Sequence, residues 1–447
     1  MNSTSVVKIQ LMLAFGAVFA AVTGGVIGAL HYIEPVSKTL NEVGLQLTAL
    51  RPLHTTFAHL WIFGAALAVI YHYLSTTAPL TKSESTRFKF HTVCWLLAGL
   101  GVIVTLPMGI TSGREYLGFH PAFSVVFLAG WIAFAWTFFS RVAKGFWSRP
   151  VYVYMWAIGI LYFIYTFVEG HSYLLPSIAK YPVTDLQIQW KSCGTMVGSF
   201  NFLMYGCLIY VSEKVSGDTN YAHSKMAFAL FGIGALNSFT NYAHHTYHLP
   251  QMELILWIAF IVSMIEILIL LRVIQDVVGM VKKRMTQQSD NAVERFFDWS
   301  KWWTLGLLPI SLLISVPPLN TFIHGTHVIL GHGMGAELGI DTMVLLGTTA
   351  YLITKISGVE SIAKVNSMKK RISALSFFAF VLVAWLSISG LVHGIYRYNG
   401  EPSPDWIIHS RPLFVIAGTG LAISLLSIII PWACILIKDR QTSQPKV

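Results

Sequence analysis

Long apolar runs alternate with short polar segments from one end of the chain to the other. Each run has about 20 residues or slightly more, which allows a helix to cross a hydrocarbon core of roughly 30 Å. No polar stretch is long enough for a separate soluble domain, so residues 1–447 are predicted to form a single all-α membrane domain of about twelve spans. The predicted spans are residues 9–31, 54–76, 88–110, 118–141, 149–172, 190–213, 225–248, 251–273, 302–325, 327–354, 372–396 and 411–438.

Charge is scarce and unevenly distributed. Only 11% of the residues are charged, against about 25% in soluble globular proteins. A net charge of +10 is compatible with a nucleic-acid partner, but most Lys and Arg residues fall in the two tails and in alternate loops. The positive-inside rule then places both termini in the cytoplasm and the basic segment from Lys282 to Lys301 against anionic lipid. The expected surrounding is therefore membrane lipid, with no nucleic acid.

Several histidines share one depth of the predicted bundle. Ionisable side chains are costly inside a membrane, and imidazole is a common ligand of haem iron and copper. Histidines gathered in the outer part of the bundle therefore predict a buried redox site. They are His54 at the start of the second span, His244 and His245 at the end of the seventh, and His324, His327 and His332 where the ninth and tenth spans meet.

The surroundings of individual residues refine this picture. His332 lies between Gly331 and Gly333, and glycine lets a large planar ring such as a porphyrin approach the backbone. Isolated histidines near helix ends, among them His59, are interpreted as interfacial polar residues. The inner halves of the spans carry almost no Asp or Glu, and Glu266 is a near-isolated carboxylate, so a proton-pumping channel of carboxylates is not expected. The four cysteines lack CxxC spacing and are interpreted as packing residues.

Over essentially its whole length the chain resembles the catalytic subunit of bacterial nitric oxide reductases, in the haem-copper oxidase superfamily. Twelve spans with a metal layer toward the outer side are also the architecture of that superfamily. The matching landmarks are Arg51-x2-His54-Thr-Thr, Gly113-Arg114-Glu115-Tyr116, His244-His245-x-Tyr247, Glu266, and His324-Gly-Thr-x5-His332-Gly.

The resemblance implies two haem groups. His332 would be the proximal ligand of a high-spin haem b, and His54 would be one axial ligand of a second, low-spin haem b. His324 occupies the position of a polar residue near the haem propionates, and Arg51 and Arg114 would neutralise those propionates.

The second ligand of the low-spin haem is a departure from the family. The family has His-x-His in the tenth span, and the second of these positions is Met334 here. Residues two apart on a helix point in roughly opposite directions, so Met334 still faces away from His332. A thioether is a legitimate haem ligand that raises the potential. Two interpretations stay open: either Met334 ligates the haem with His54, or it only packs and the haem is absent or held by another residue such as His327.

The non-haem metal site departs further. By resemblance, His244 and His245 would be two of its ligands and Glu266 a nearby carboxylate. The sixth span, however, lacks both residues of the family's His-x3-Glu motif. Cys193 could supply a third, soft ligand that favours copper, whereas Asn201 or Glu266 could supply oxygen that favours iron. A site without the metal is the remaining alternative.

The resemblance implies an oxidoreductase of a bacterial inner membrane that reduces NO or a related N–O gas. Electrons would enter from the outer side, from a c-type cytochrome subunit or from quinol, since the chain has no CxxCH haem motif. Two alternatives stay open: chemistry of the NO dismutase kind, and a haem-bearing sensor or electron-transfer subunit without catalysis. Oxygen reduction is not expected, because no ligand histidine is paired with a cross-linking tyrosine of the oxidase kind.

Overall fold

The structure is a computed structural model that describes residues 3–285, 291–357 and 364–442. Within these ranges the chain consists of long helices joined by short connections, which confirms the prediction of an all-α membrane bundle. The long helices are α1 (Ser3–Leu30), α2 (Leu47–Thr77), α3 (Lys82–Thr105), α4 (Pro121–Val142), α5 (Val151–Glu169), α6 (Pro182–Ser216), α7 (Lys225–Thr240), α8 (Glu253–Met285), α9 (Ala292–Ser315), α10 (His327–Ile356), α11 (Lys369–Tyr398) and α12 (Arg411–Thr442).

Ten of these helices are long and apolar enough to cross a membrane, among the residues that the structure describes. An eleventh span results if α9 is counted together with the short helix Pro317–Ile323, which is bent from it by 94°. Helix α7 has only 16 residues and rises about 24 Å, which is short of the hydrocarbon thickness. The predicted seventh span, 225–248, therefore stops early, and a single separate turn, Tyr242–His245, completes it.

The outer end of α9 and the start of α10 form the second irregular region. The predicted span 302–325 begins earlier, at Ala292, and turns sideways at Pro317, because proline cannot continue the backbone hydrogen bonds of the preceding helix. Helix α10 starts at its cap Thr326, whose hydroxyl accepts a hydrogen bond from the Val328 N–H at 3.3 Å. Below Met334 it widens into a π-helical stretch, Gly335–Thr342. Such stretches occur frequently at functional sites.

Burial separates central from peripheral helices. Most of the apolar part of α2, α6 and α10 is buried inside the bundle, at 78%, 89% and 83%, whereas only 17% of the apolar part of α8 is buried. Helix α1 packs on α2, α5 on α6, and α11 on α12. The three central helices carry His54, Cys193 and His332, so these three predicted site residues lie on the best-shielded elements of the fold.

Candidate functional site

His332 lies half-buried on α10, near the outer end of the helix. Its Nδ1 is 3.4 Å from the hydroxyl of Ser311 on α9. Of the flanking glycines, Gly331 faces α11, where an added Cβ would lie 2.9 Å from the Ser387 hydroxyl, whereas a Cβ at Gly333 would meet nothing within 4 Å. The backbone is thus open at Gly333, where access for a planar ring stays a prediction, and Gly331 serves close helix packing.

His245 is held on the single turn that follows α7. Its ring stacks parallel to the indole of Trp190 on α6, with centroids 5.6 Å apart and planes at 2°. Gln251 fixes the turn by donating to the carbonyls of Thr246 at 2.7 Å and Ala243 at 3.2 Å. His245 is also within electrostatic range of His332 and His324. The turn after α7 thus lies on the side of the bundle that carries His324 and His332, and a joint site of these histidines stays a prediction.

The side chain of His244 lies outside the described part of the structure. Its role as a metal ligand stays a prediction.

His324 and His327 face different neighbours. The ring of His324 lies 4.1 Å from that of His248, centroid to centroid, and the Arg397 guanidinium donates to the His324 carbonyl at 2.7 Å. His327 is 3.3 Å from the Tyr32 hydroxyl through its Nε2, and its ring packs near Trp385 on α11. His324 thus lies on the side of the bundle that carries His245, whereas His327 lies beside α1 and α11.

His54 has the hydrogen-bonding arrangement of a metal-ligating histidine. Its Nδ1 donates to the carbonyl of Ala21 on α1 at 2.8 Å, which leaves Nε2 as the nitrogen with the available lone pair. The ring lies against Gly25, where an added Cβ would be 2.6 Å from Nδ1 and 2.9 Å from Cε1. The residues present therefore fit an axial haem ligand at His54.

Met334 is partly buried between two apolar clusters. One is the main core of the bundle, and the other contains Trp385 and Leu386 of α11. Both open interpretations of Met334, ligation and packing, are compatible with this position.

Substitution of Gly25 tests the packing of the His54 ring against α1. A helix-interior Gly→Ala change ordinarily stabilises by about 0.5–1 kcal/mol, but Gly25→Ala must push the His54 ring off the Ala21 carbonyl. We expect it to lower the low-spin haem content and the thermal stability of the purified protein, measured by optical spectrum and by thermal unfolding. Gly16→Ala is the matched control in the same helix, because its added Cβ would meet nothing within 4 Å. Identical behaviour of the two variants would contradict the assignment.

The two arginines expected at haem propionates both contact carboxylates in the structure. Arg51 donates from Nη2 to both oxygens of Glu115, at 2.7 and 2.8 Å. Arg114 donates to Asp185 at 2.8 Å and to Gln189 at 3.1 Å. Their role toward propionates stays a prediction, and the structure gives them a definite second role, that of fixing the outer connection between α3 and α4.

The described donor groups do not assemble a non-haem metal site. No group of three or more His, Cys, Asp or Glu side chains is placed to hold a metal ion, within the ranges that the structure describes. The thiol of Cys193 points to the carbonyl of Glu115, 3.9 Å away. Cys193 as a metal ligand therefore stays a prediction.

Glu266 lies on α8 with donors on both of its oxygens. The Asn237 amide donates to Oε2, and the Tyr205 hydroxyl donates to Oε1 at 3.4 Å. The Ser263 hydroxyl donates to Asn237 Oδ1 at 2.9 Å and so orients that amide toward Glu266. This carboxylate is held between α6, α7 and α8, and Tyr205 also lies within electrostatic range of Asp341 on α10.

The sequence alone did not reveal that His59 and Glu337 form an ionisable pair. His59 on α2 is buried rather than interfacial, and its Nε2 lies 3.5 Å from Oε1 of Glu337 in the π-helical stretch of α10. Its ring also packs edge-on against Tyr116 at 4.6 Å. Tyr116 has φ of 60°, the only positive value at a non-glycine residue in the described chain. Asp341 interacts electrostatically with Glu337 and with Tyr205, which donates to Glu266, so Glu266 is not a near-isolated carboxylate. Intramembrane acids are functional candidates by default, and that signal could have identified Glu337.

Comparisons with known proteins identify the family and the fold. The sequence model of the family described as cytochrome c and quinol oxidase polypeptide I matches residues 6–423. Over 374 residues the chain is 25% identical to the cbb3-type cytochrome c oxidase subunit CcoN1 of Stutzerimonas stutzeri, covering 77% of this chain and 74% of that protein. It is 19% identical over 422 residues to the B subunit of nitric oxide reductase from the same organism, covering 88% and 84%.

Among solved structures, a haem-copper terminal oxidase dimer studied by cryo-electron microscopy matches the fold. The TM-score is 0.76 at 14% identity, over 100% of this chain and 85% of that one. At this identity the likeness concerns the fold alone.

Proposed function

This chain belongs to the family of cytochrome c and quinol oxidase polypeptide I, and from that premise we propose that it is a membrane haem oxidoreductase that reduces NO or a related N–O gas. The observation that carries the proposal is the placement of His245, stacked on Trp190, within electrostatic range of His332 on α10.

Haem iron bound at His332 would supply the electron-transfer and gas-binding chemistry. The side chains around it have separate tasks. Ser311 orients the His332 imidazole, and Trp190 holds the His245 ring in one plane. Reduction of two NO molecules to N2O and water consumes two electrons and two protons. Glu266, which receives hydrogen bonds from Tyr205 and Asn237, is proposed as the carboxyl group from which protons are delivered.

The electron donor is proposed to be a c-type cytochrome subunit or quinol, acting from the outer side. His54 is the proposed entry point, because its hydrogen bond to Ala21 and its seat against Gly25 fix one nitrogen for a low-spin haem. Low-spin haem ligated on both faces is suited to electron transfer rather than to binding of substrate.

Reduction of O2 is a second candidate, and the match to a subunit of a cbb3-type cytochrome c oxidase favours it. The two reactions are distinguished by turnover of purified protein with reduced cytochrome c or with quinol. A reductase of NO should convert isotopically labelled NO to doubly labelled N2O under anaerobic conditions. An oxidase would form little N2O in that assay and would consume O2 when O2 is supplied. Haem incorporation without turnover of either gas would contradict both enzymes and would support a sensor or an electron-transfer subunit.

A further inference from the structure

Two histidines meet where the connection between α7 and α8 reaches the connection between α9 and α10. The ring centres of His248 and His324 lie 4.1 Å apart, and the ring planes are inclined to each other by 33°. His248 is exposed and His324 is half-buried. The positive-inside distribution of charge places both connections at the outer face of the membrane. The pair is therefore accessible to ions from the outer medium.

Hydrogen bonds fix the backbone on both sides of the pair. The Arg397 guanidinium donates to the carbonyl of His324 at 2.7 Å and so holds the α9–α10 connection against α11. On the other connection, the Gln251 amide donates to the carbonyl of Thr246 at 2.7 Å and closes the turn that contains His248. The two imidazoles are thus carried by segments that are already ordered. This order lowers the entropy cost of holding a ligand between them.

The separation of the two rings suits a metal ion whose ligands lie at right angles. A metal ion about 2.1 Å from one nitrogen of each imidazole lies about 3.2 Å from each ring centre. Two such rings at about 90° have centres about 4.6 Å apart, whereas tetrahedral ligands have centres about 5.3 Å apart. The observed 4.1 Å is nearer to the first value. Tetragonal coordination by nitrogen and oxygen is typical of Cu2+ and Ni2+.

We propose that His248 and His324 form an outer-surface site for a divalent transition-metal ion of the Cu2+ or Ni2+ kind, with water completing the coordination. The bound ion ties the α7–α8 connection to the start of α10. His245 lies three residues before His248, and His332 lies eight residues after His324. Occupancy of the site therefore restrains the two segments that carry His245 and His332. The site does not depend on the proposed reaction or on a bound haem.

Metal binding to the purified full-length protein tests the site. Isothermal titration calorimetry with Cu2+, Ni2+, Zn2+ and Mg2+ measures the affinities, and electron paramagnetic resonance of the Cu2+ complex counts its nitrogen ligands. The expected result is a Cu2+ site with two imidazole nitrogens, weaker binding of Ni2+ and Zn2+, and no competition by Mg2+, which prefers oxygen ligands. A Cu2+ spectrum with a single nitrogen ligand, or displacement of Cu2+ by an equal concentration of Mg2+, would overturn the proposal.

Histidine variants locate the bound ion. Loss of a group that only supports a metal ligand already weakens binding by about 10–100-fold, so His248→Ala should weaken Cu2+ binding at least about tenfold while haem content is unchanged. His409→Ala is the matched control, because His409 is exposed at the same outer face and its Nδ1 contacts the Asp405 carbonyl at 2.8 Å. This control is expected to bind Cu2+ as the unmodified protein does.

Thermal unfolding gives a second readout that does not require turnover. An ion that binds only the folded chain raises the unfolding temperature. Cu2+ is therefore expected to raise it in the unmodified protein and in His409→Ala, and to have little effect in His248→Ala. An equal rise in all three proteins, or unchanged Cu2+ affinity in His248→Ala, would place the ion elsewhere and overturn the proposal.

Discussion

Replacement of His332 by alanine is expected to remove the high-spin haem and to abolish turnover of NO while the protein remains in the membrane. Among the residues that the structure describes, no other histidine of α10 lies beside Ser311 and the open backbone at Gly333. Loss of a residue that only supports a metal ligand already lowers affinity or activity by about 10–100-fold, so loss of the ligand itself should exceed about 100-fold. Haem content, the optical spectrum and gas consumption are the measurements.

Two further variants test whether the loss of haem and turnover is specific to the His332 ring. Ser311→Ala removes the partner of His332 Nδ1 without touching the ring, and because that contact is long, at 3.4 Å, a loss of about tenfold is expected. His223→Ala changes an exposed histidine in a short connection on the opposite face and should behave as the unmodified protein. Unchanged haem content in His332→Ala would show that another residue holds the high-spin haem.

The second large effect concerns Met334, for which ligation and packing predict opposite outcomes. Met334→Leu conserves volume in its apolar surroundings, and such exchanges usually cost less than about 1.5 kcal/mol. If Met334 ligates iron opposite His54, the leucine variant should lose the low-spin spectrum while its stability is nearly unchanged. If Met334 only packs, both spectrum and stability should be retained.

Met334→His is the complementary variant. An imidazole in place of a thioether stabilises the oxidised iron, so the midpoint potential of the low-spin haem should fall by on the order of 100 mV, within the roughly 0.8 V that axial ligands span. Electron entry from a weak donor should then be slower, and onward transfer to the haem at His332 should have more driving force. A redox titration that shows no shift in Met334→His, together with a normal spectrum in Met334→Leu, would assign Met334 to packing.

Glu337 illustrates a limit of inference from patterns. The apolar period of the tenth span was evident, and a carboxylate within it was visible in the sequence. Its partner was not, because His59 is far away in the chain and resembles any histidine near a helix end. Only the packing of α2 against α10, with the π-helical stretch between Gly335 and Thr342, turns the two side chains toward each other.

The sequence by itself determined the membrane class and the approximate spans, and it predicted a shared depth for His54, His245 and His332. These follow from local rules, since a bilayer requires about 20 apolar residues per helix and penalises each ionisable group within it. The tertiary structure decided what those residues face: His245 on Trp190, His54 on Ala21 and Gly25, and Glu266 between Asn237 and Tyr205. It also decided that the short helix Pro317–Ile323 is bent from α9 by 94° and that α7 ends at Thr240. Such contacts depend on the rotation and close approach of helices that are distant in the chain, which hydrophobic periodicity does not encode.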